Sequence, residues 1–576
     1  MQKRDSLLRS VLWLFLISIL PLSGIAQESN LKPITNKYAI KNATIVQAPG
    51  RTIQNGSLVI ENGIIKAVGS NITIPADAWV VDADSMFVYA GFISGLSNIG
   101  VKEPKEEDGS DDRKLTGTPT YKRAGITPGI SAREMLDPNE KSVKDFRQLG
   151  FTASHSVPSK GMIPGKGSII LLGGSTGENM VIKDNVTMYS QFSGAGGVYP
   201  NTVIGVMAKY RDLYRKASQA RDYESRYNGN PNGMERPTPD ATLEALYPVV
   251  SKQLAVSFKT EGIKDIMRAM ALQRDLGFKV SYGEVKQGWD AVDAIKSSGS
   301  SAFLSLDLPE WKEEKKEEKK EETEGESDEE GKEEKKEPTA EELEKQALEK
   351  RQNEMIKKYY TQAGIYSNKG VRFGFSTMEV KSKDFKKNLL KVIENGLSDD
   401  RALAALTTEP ASILGVSNMM GTIEVGKMAN LVVSDTAYFT KDSNVRFVFV
   451  DGVKYEYKAK EKKKKKASSG DEPVNAAGVW SYSTETPQGN GSGTITIEGT
   501  PGNYNGNITL SFNDSTNEIQ DLLVDGNNVT FSFKTNVGQE ITVEISMNID
   551  GDTFEGTLSV AQFGSFPMDG SRDPKN

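Results

Sequence analysis

The sequence predicts an α/β protein built on a TIM-like (β/α) barrel, bracketed by β-rich segments and followed by a separate all-β domain. Three observations lead there. Along the middle of the chain, apolar β-type runs ("LGFTASHSV", "QLAVSF", "GFKVSYG", "SAFLSL", "VRFGFS") alternate with helical patterns ("IKDIMRAMALQRD", "GWDAVDAIKSSG", "FKKNLLKVIENG"). That alternation is what parallel strands joined by helical crossovers produce. On either side lie β-rich stretches, "YAIKNATIV" and "GSLVIENGIIKAVG" before it and "GTIEVGKMANLVVSD" and "VRFVFVDGVKYEY" after it. The Lys-rich linker "KAKEKKKKKASSGDEP" then breaks the composition and marks a domain boundary.

At 576 residues and 37% hydrophobic, the chain supports more than one core. Its first 26 residues read as a secretory signal peptide: Lys3, Arg4 and Arg9, the apolar run "VLWLFLISIL", then small residues Gly24-Ile25-Ala26, so that cleavage leaves Gln27 first. A membrane anchor is the alternative, but the run is short for a bilayer span and ends in Pro21 and Gly24. The expectation is a periplasmic or secreted bacterial protein with no integral membrane segment after cleavage. With no Cys, its fold uses neither disulfides nor thiolate metal sites. A net charge of -7, spread over many Lys and Glu residues, excludes the basic face of a nucleic-acid binder.

In chain order, residues 33–88 form a small antiparallel β unit and residues 89–418 the barrel. Within the barrel, residues 312–337 ("KEEKKEEKKEETEGESDEEGKEEKKE") offer no apolar side chain to bury and make a solvated insertion. Leu343, Leu348, Met355, Ile356 and Tyr359 fall near helical spacing and return the insertion to the fold through an amphipathic helix. Residues 419–457 turn β again, residues 458–475 are the linker, and residues 477–576 carry short alternating strands expected to form an antiparallel barrel or sandwich. Trp480 is the expected plug of that core.

Three stretches resemble the amidohydrolase superfamily, and most its imidazolonepropionase-related branch: "VYAGFI", where the family has Pro-Gly-Phe-Ile-Asp-x-His-x-His; "GLSDDRALAALTTEPASILGV", like its last barrel helices; and "GTIEVGKMANLVVSD" with "VRFVFVDGVKYEY", like its closing β segment. The resemblance covers Lys37 to Tyr457. It implies that the two flanking β segments join into one composite sandwich beside the barrel. It also implies a divalent metal such as zinc at the C-terminal mouth, held by imidazoles and a carboxylate, which ionises a bound water near neutral pH.

This chain departs from that pattern at the site. It has one histidine. Matching residue by residue puts Ser94 at the family's Asp, Leu96 and Asn98 at its two His positions, Lys259 at the mid-barrel His, Glu284 where some members have a second His, and Met378 at the catalytic Asp. Leu and Met cannot do that work; Glu379, one residue on, is a base if the register slips. No cofactor is therefore expected, although carboxylates at Glu284, Glu379 or Glu178 remain an alternative for a harder metal.

His155, in "TASHSVPSKG", follows a predicted strand and is expected as a surface or hydrogen-bonded residue near the mouth. Lys259 and Glu284 are expected either to pair across the vacated site, the ammonium replacing the metal's positive charge, or to be unrelated rim charges. The glycines of "GMIPGKGSIILLGGSTGENM" lack P-loop spacing and read as hairpin turns. No Gly-x-Ser-x-Gly elbow is present. Three functions stay open: a non-catalytic scaffold or partner of an active relative, as a homo- or hetero-oligomer; an active hydrolase of non-peptide carbon-nitrogen bonds in cyclic amides or related small substrates; and a ligand-binding protein acting through the C-terminal β domain.

Overall fold

The computed structural model describes residues 36–102, 119–194, 196–310, 340–457, 475–486, 489–500, 503–510, 515–525, 527–536, 540–560 and 564–572. The expected signal peptide, the insertion 312–337 and all but the last residue of the linker 458–475 lie outside them. The chain divides into two compact units, Met1–Lys460 and Glu461–Asn576.

The first unit opens with β1 (Lys37–Ala48), β2 (Arg51–Glu61), β3 (Ile64–Gly69), β4 (Trp79–Asp82) and β5 (Phe87–Ala90). The β2–β3 hairpin turns on Asn62-Gly63, both at positive φ (51° and 76°), as a tight hairpin with the right-handed strand twist requires. β1, β2 and β3 pair antiparallel. β4 and β5 add to the other edge of β1 in parallel, so the N-terminal unit is mixed and not purely antiparallel.

Eight strands then close into a barrel: β6 (Phe92–Ser97), β7 (Phe151–Ser156), β8 (Gly165–Leu171), β9 (Val181–Ser190), β10 (Ala255–Lys259), β11 (Val280–Val285), β12 (Ser301–Ser305) and β13 (Phe373–Ser376), which returns to β6. It differs from an all-parallel barrel in one strand. β8 runs antiparallel to both β7 and β9, because the Gly-rich segment turns back directly instead of crossing over through a helix. Elsewhere helical crossovers do the work: Ile263–Leu276 follows β10 and stops at Gly277, whose φ of 76° makes the left-handed cap.

Close approach fills the barrel axis. A Cβ on Gly95 would sit 2.0 Å from the Phe303 ring, and one on Gly283 2.3 Å from Leu96 Cδ2. Leu96 and Phe303 therefore occupy space that only glycine opposite them leaves open.

After the barrel, β14 (Leu431–Ser434), β15 (Val445–Val450) and β16 (Val453–Glu456) join the first sheet through the antiparallel pairing of β14 with β5. The result is one eight-stranded sheet drawn from both ends of the unit. The helix Ala340–Lys369 exists, but its stripe is not a buried one: Leu348 and Met355 are 55% and 47% exposed, Leu343 lies among residues whose side chains are not described, and Ile356 and Tyr359 are half-buried. Among its described side chains, burial begins at Tyr360 and continues at Ala363 and Tyr366.

The second unit is a meander: β17 (Gly478–Thr486), β18 (Gly489–Thr500), β19 (Asn503–Leu510), β20 (Ser515–Glu518), β21 (Gln520–Asp525), β22 (Asn528–Asn536), β23 (Glu540–Asp550), β24 (Thr553–Val560) and β25 (Gly564–Arg572). β17 and β25 pair in its middle, which leaves β20 and β21 as the two outer strands. Only Ile519 separates these two outer strands along the chain. Trp480 is fully buried within it, its indole N–H donating to the Ala476 carbonyl at 3.0 Å and the Arg572 guanidinium lying 4.4 Å from its ring.

Candidate functional site at the barrel mouth

The C-terminal ends of parallel barrel strands carry the side chains that converge. Lys259 ends β10, Glu284 and Lys286 lie at the end of β11, Asp307 follows β12, and Glu379 follows β13. Four of these, all but Glu284, join Glu261 in an alternating chain of charge. Lys259 Nζ pairs with Glu261 at 2.9 Å and with Glu379 Oε1; Lys286 Nζ pairs with the other Glu379 oxygen at 2.8 Å and with Asp307 at 2.7 Å. Partial burial opposes the charged form of Glu379, yet the two ammonium groups win and hold its carboxyl below the usual range. The same balance, burial against two carboxylates each, leaves both lysines raised.

Glu284 takes no part in that chain. Of the two alternatives for Lys259 and Glu284, the direct pair is not formed: Lys259 has Glu379 and Glu261 as partners, while Ser305 and Ser376 bond the two Glu284 oxygens. The reason is local backbone. The β11–β12 register shifts between Tyr282 and Val285, and Glu284 sits at φ 52°, a bulge that turns its side chain into the barrel and away from the rim. Glu284 is completely buried, and burial pushes its carboxyl up despite the serine hydroxyls.

His155 lies within β7, not after it, and is completely buried. Its Nδ1 lies 3.0 Å from the Gly95 carbonyl and its Nε2 2.9 Å from Thr187 Oγ1. Burial lowers its pKa to about 4, so it is a neutral hydrogen-bonding bridge between β6 and β9. Of the positions that the resemblance matches to the family's ligands and base, Leu96 is an apolar plug beside Gly283, Asn98 is exposed, Ser94 bonds Thr377 Oγ1 at 2.7 Å, and Met378 Sδ accepts from Tyr189 at 3.6 Å. Glu178 is exposed and paired with Arg133, whose Nε donates to it at 2.9 Å.

These residues do not fit the metal that the resemblance implies. Both Glu284 oxygens are taken by serines, Glu379 is occupied by two ammonium groups, and a hydrocarbon stands at Leu96. Among the described residues no three His, Asp or Glu side chains group as metal ligands. Sequence reasoning missed Lys286, Asp307, Ser305 and Ser376. Their only signal was position, each within two residues of a strand's C-terminal end.

A closed β/α barrel flanked by a sheet assembled from segments before and after it is the fold of the amidohydrolases, and comparison with known proteins agrees. Residues 328–454 match the family model described as "Amidohydrolase family". An amidohydrolase structure from Thermotoga maritima superposes with a TM-score of 0.57 at 21% identity, over 73% of this chain and 100% of that one. A 5-methylthioadenosine/S-adenosylhomocysteine deaminase of Pyrococcus furiosus is 40% identical over 62 residues, which span 11% of this chain and 15% of the deaminase.

Proposed function

We propose that this chain is an exported, imidazolonepropionase-like protein whose barrel has become a non-catalytic scaffold, acting alone or beside a catalytically complete relative. One observation carries the reading: an ammonium, Lys259, stands at the strand end that aligns with the family's mid-barrel histidine, and it is neutralised by Glu379 and Glu261. Among its described residues, a charge-paired, serine-braced and hydrocarbon-plugged mouth offers neither a set of ligands to lower the pKa of a water nor an unpaired carboxylate to deprotonate one. Closely related barrels share self-complementary surfaces, which makes such a relative, or a second copy, the natural partner.

The purified chain should be assayed against cyclic amides, cyclic ureas and deaminase substrates, with and without added zinc or manganese. On this reading its rate equals that of the E379Q variant. Turnover that E379Q abolishes would overturn it. Export is checked by N-terminal sequencing of the protein recovered outside the cytoplasm, expected to begin at Gln27.

The second reading is a hydrolase of non-peptide carbon-nitrogen bonds working through an unusual site. It draws on the convergence of Lys259, Lys286, Glu379 and Asp307 on one mouth, where such an enzyme would need ionisable groups. The same assay separates the two.

A further inference from the structure

The closure of the barrel is its thinnest seam. β13 and β6 share a single register pair, Ser376 with Leu96, whereas β12 and β13 share four. What reinforces that pair is a small polar cluster. The Leu96 carbonyl receives the Thr377 N–H at 3.0 Å and lies 2.9 Å from Ser376 Oγ; Ser376 Oγ in turn receives the Met378 N–H at 3.2 Å and contacts Glu284 Oε2. Glu284 Oε1 contacts Ser305 Oγ, which receives the Asp307 N–H at 3.1 Å.

Counting protons constrains this cluster. Ser376 has one hydroxyl hydrogen and two oxygen neighbours, the Leu96 carbonyl and Glu284 Oε2, and can give it to only one of them; the carbonyl also accepts from the Thr377 N–H at 3.0 Å and from Ser94 Oγ at 3.3 Å. If Glu284 were ionised, the serine proton would go to the carboxylate, and two buried oxygens 2.9 Å apart, Ser376 Oγ and Leu96 O, would face each other with no hydrogen between them. If Glu284 is protonated, every contact is satisfied: its O–H donates to Ser376, Ser376 donates to Leu96, and Ser305 donates to Glu284 Oε1.

We infer that Glu284 is a neutral carboxylic acid serving as a proton-dependent clasp, which ties β11 and β12 to the β13–β6 seam and releases that seam when its proton is lost to solvent. The charged groups that bear on it are Glu379, which favours the neutral form, and Lys286, which opposes it; Lys259 and Asp307 stand one ion pair further out, and both are spoken for. Complete burial sets the balance toward the acid, since ionisation here would put a charge where, among the described residues, no cation makes direct contact. The inference does not depend on whether the barrel is catalytic.

The test compares the full chain with E284Q, whose amide can donate to Ser376 and accept from Ser305 as the acid does. Infrared spectroscopy at neutral pH should show a protonated-carboxyl stretch in the parent that E284Q lacks. Hydrogen exchange of the segment 373–378, corrected for its intrinsic rate, should rise by up to tenfold per pH unit above about pH 4.3 in the parent and stay flat in E284Q. Taking the difference between the two proteins removes the opposite contribution of His155. A missing acid band, or equal pH slopes, would overturn the clasp. Should E284Q not fold, S305A decides: it removes one donor to the same carboxyl, so the acid band must shift, and an unshifted band assigns it to another residue and defeats the inference.

Discussion

The two units of this chain bury opposite kinds of interior. Inside the barrel lie His155, Glu284 and a run of hydroxyls, Ser94, Ser97, Ser154, Ser156, Ser305, Ser376 and Thr377, all buried. In the C-terminal unit the interior is Trp480, Phe531, Phe533, Ile545, Met547 and Phe554, and the buried polar side chains among its described residues are Thr484 and Thr535. Stability alone is served by the second pattern, because each buried hydroxyl must find a partner merely to break even. The first pattern persists at the place where barrels of this fold carry out chemistry. The barrel thus holds polar side chains at its mouth, and the charges there are paired with one another.

The contrast is sharpened first by Trp480→Ala. It should cost the C-terminal unit about 3–5 kcal/mol, leaving the barrel's own urea transition in place. A simultaneous shift of both transitions would break the comparison between independent units. Next comes pH. His155 is neutral in the folded barrel, with a pKa of about 4, and ordinary when unfolded, so its contribution is fully present above the unfolded value and is lost as pH falls toward the folded one. Roughly 3 kcal/mol of barrel stability should disappear between about pH 6.5 and pH 4 relative to a H155Q variant. The C-terminal unit has no histidine and should show no such difference.

A smaller loss is expected from Gly95→Ala, whose methyl would lie 2.0 Å from the Phe303 ring. Overpacking of this kind costs about 1–3 kcal/mol, and Phe303→Leu in the same chain should recover part of it. Smallest is E379Q. Each lysine keeps a second carboxylate, Lys259 with Glu261 and Lys286 with Asp307, so the denaturation midpoint should move by no more than about 1 kcal/mol. A much larger loss would mean that the charge chain holds the mouth together rather than filling it.

Much of this was legible in the sequence. Strand-helix alternation, the Lys-rich break and the β-rich flanks follow from period and composition, and so does Trp480 as a plug. The reversed β8 was not, because a buried apolar run such as "GSIILL" reads the same in either direction; only the Gly-rich turns beside it hinted at a hairpin. Leu96 and Met378 could be seen to be incapable of chemistry from their identity alone. Which side chains meet one another at the barrel mouth could not be seen. The partner of Lys259 depends on a bulge at Glu284 that exchanges one glutamate for another at the ammonium, and a bulge leaves no pattern in the residues that make it. The exposure of Leu348 and Met355 was hidden for a related reason: helical spacing defines a face but does not say whether anything covers it.

The most direct test of a charge-paired mouth in place of a metal centre is elemental analysis of the protein purified, without chelators, from its native host. The account predicts a cooperatively folded chain with no stoichiometric zinc, manganese or iron. One equivalent of any of these, lost in an E379Q or E284Q variant that still folds, would contradict it.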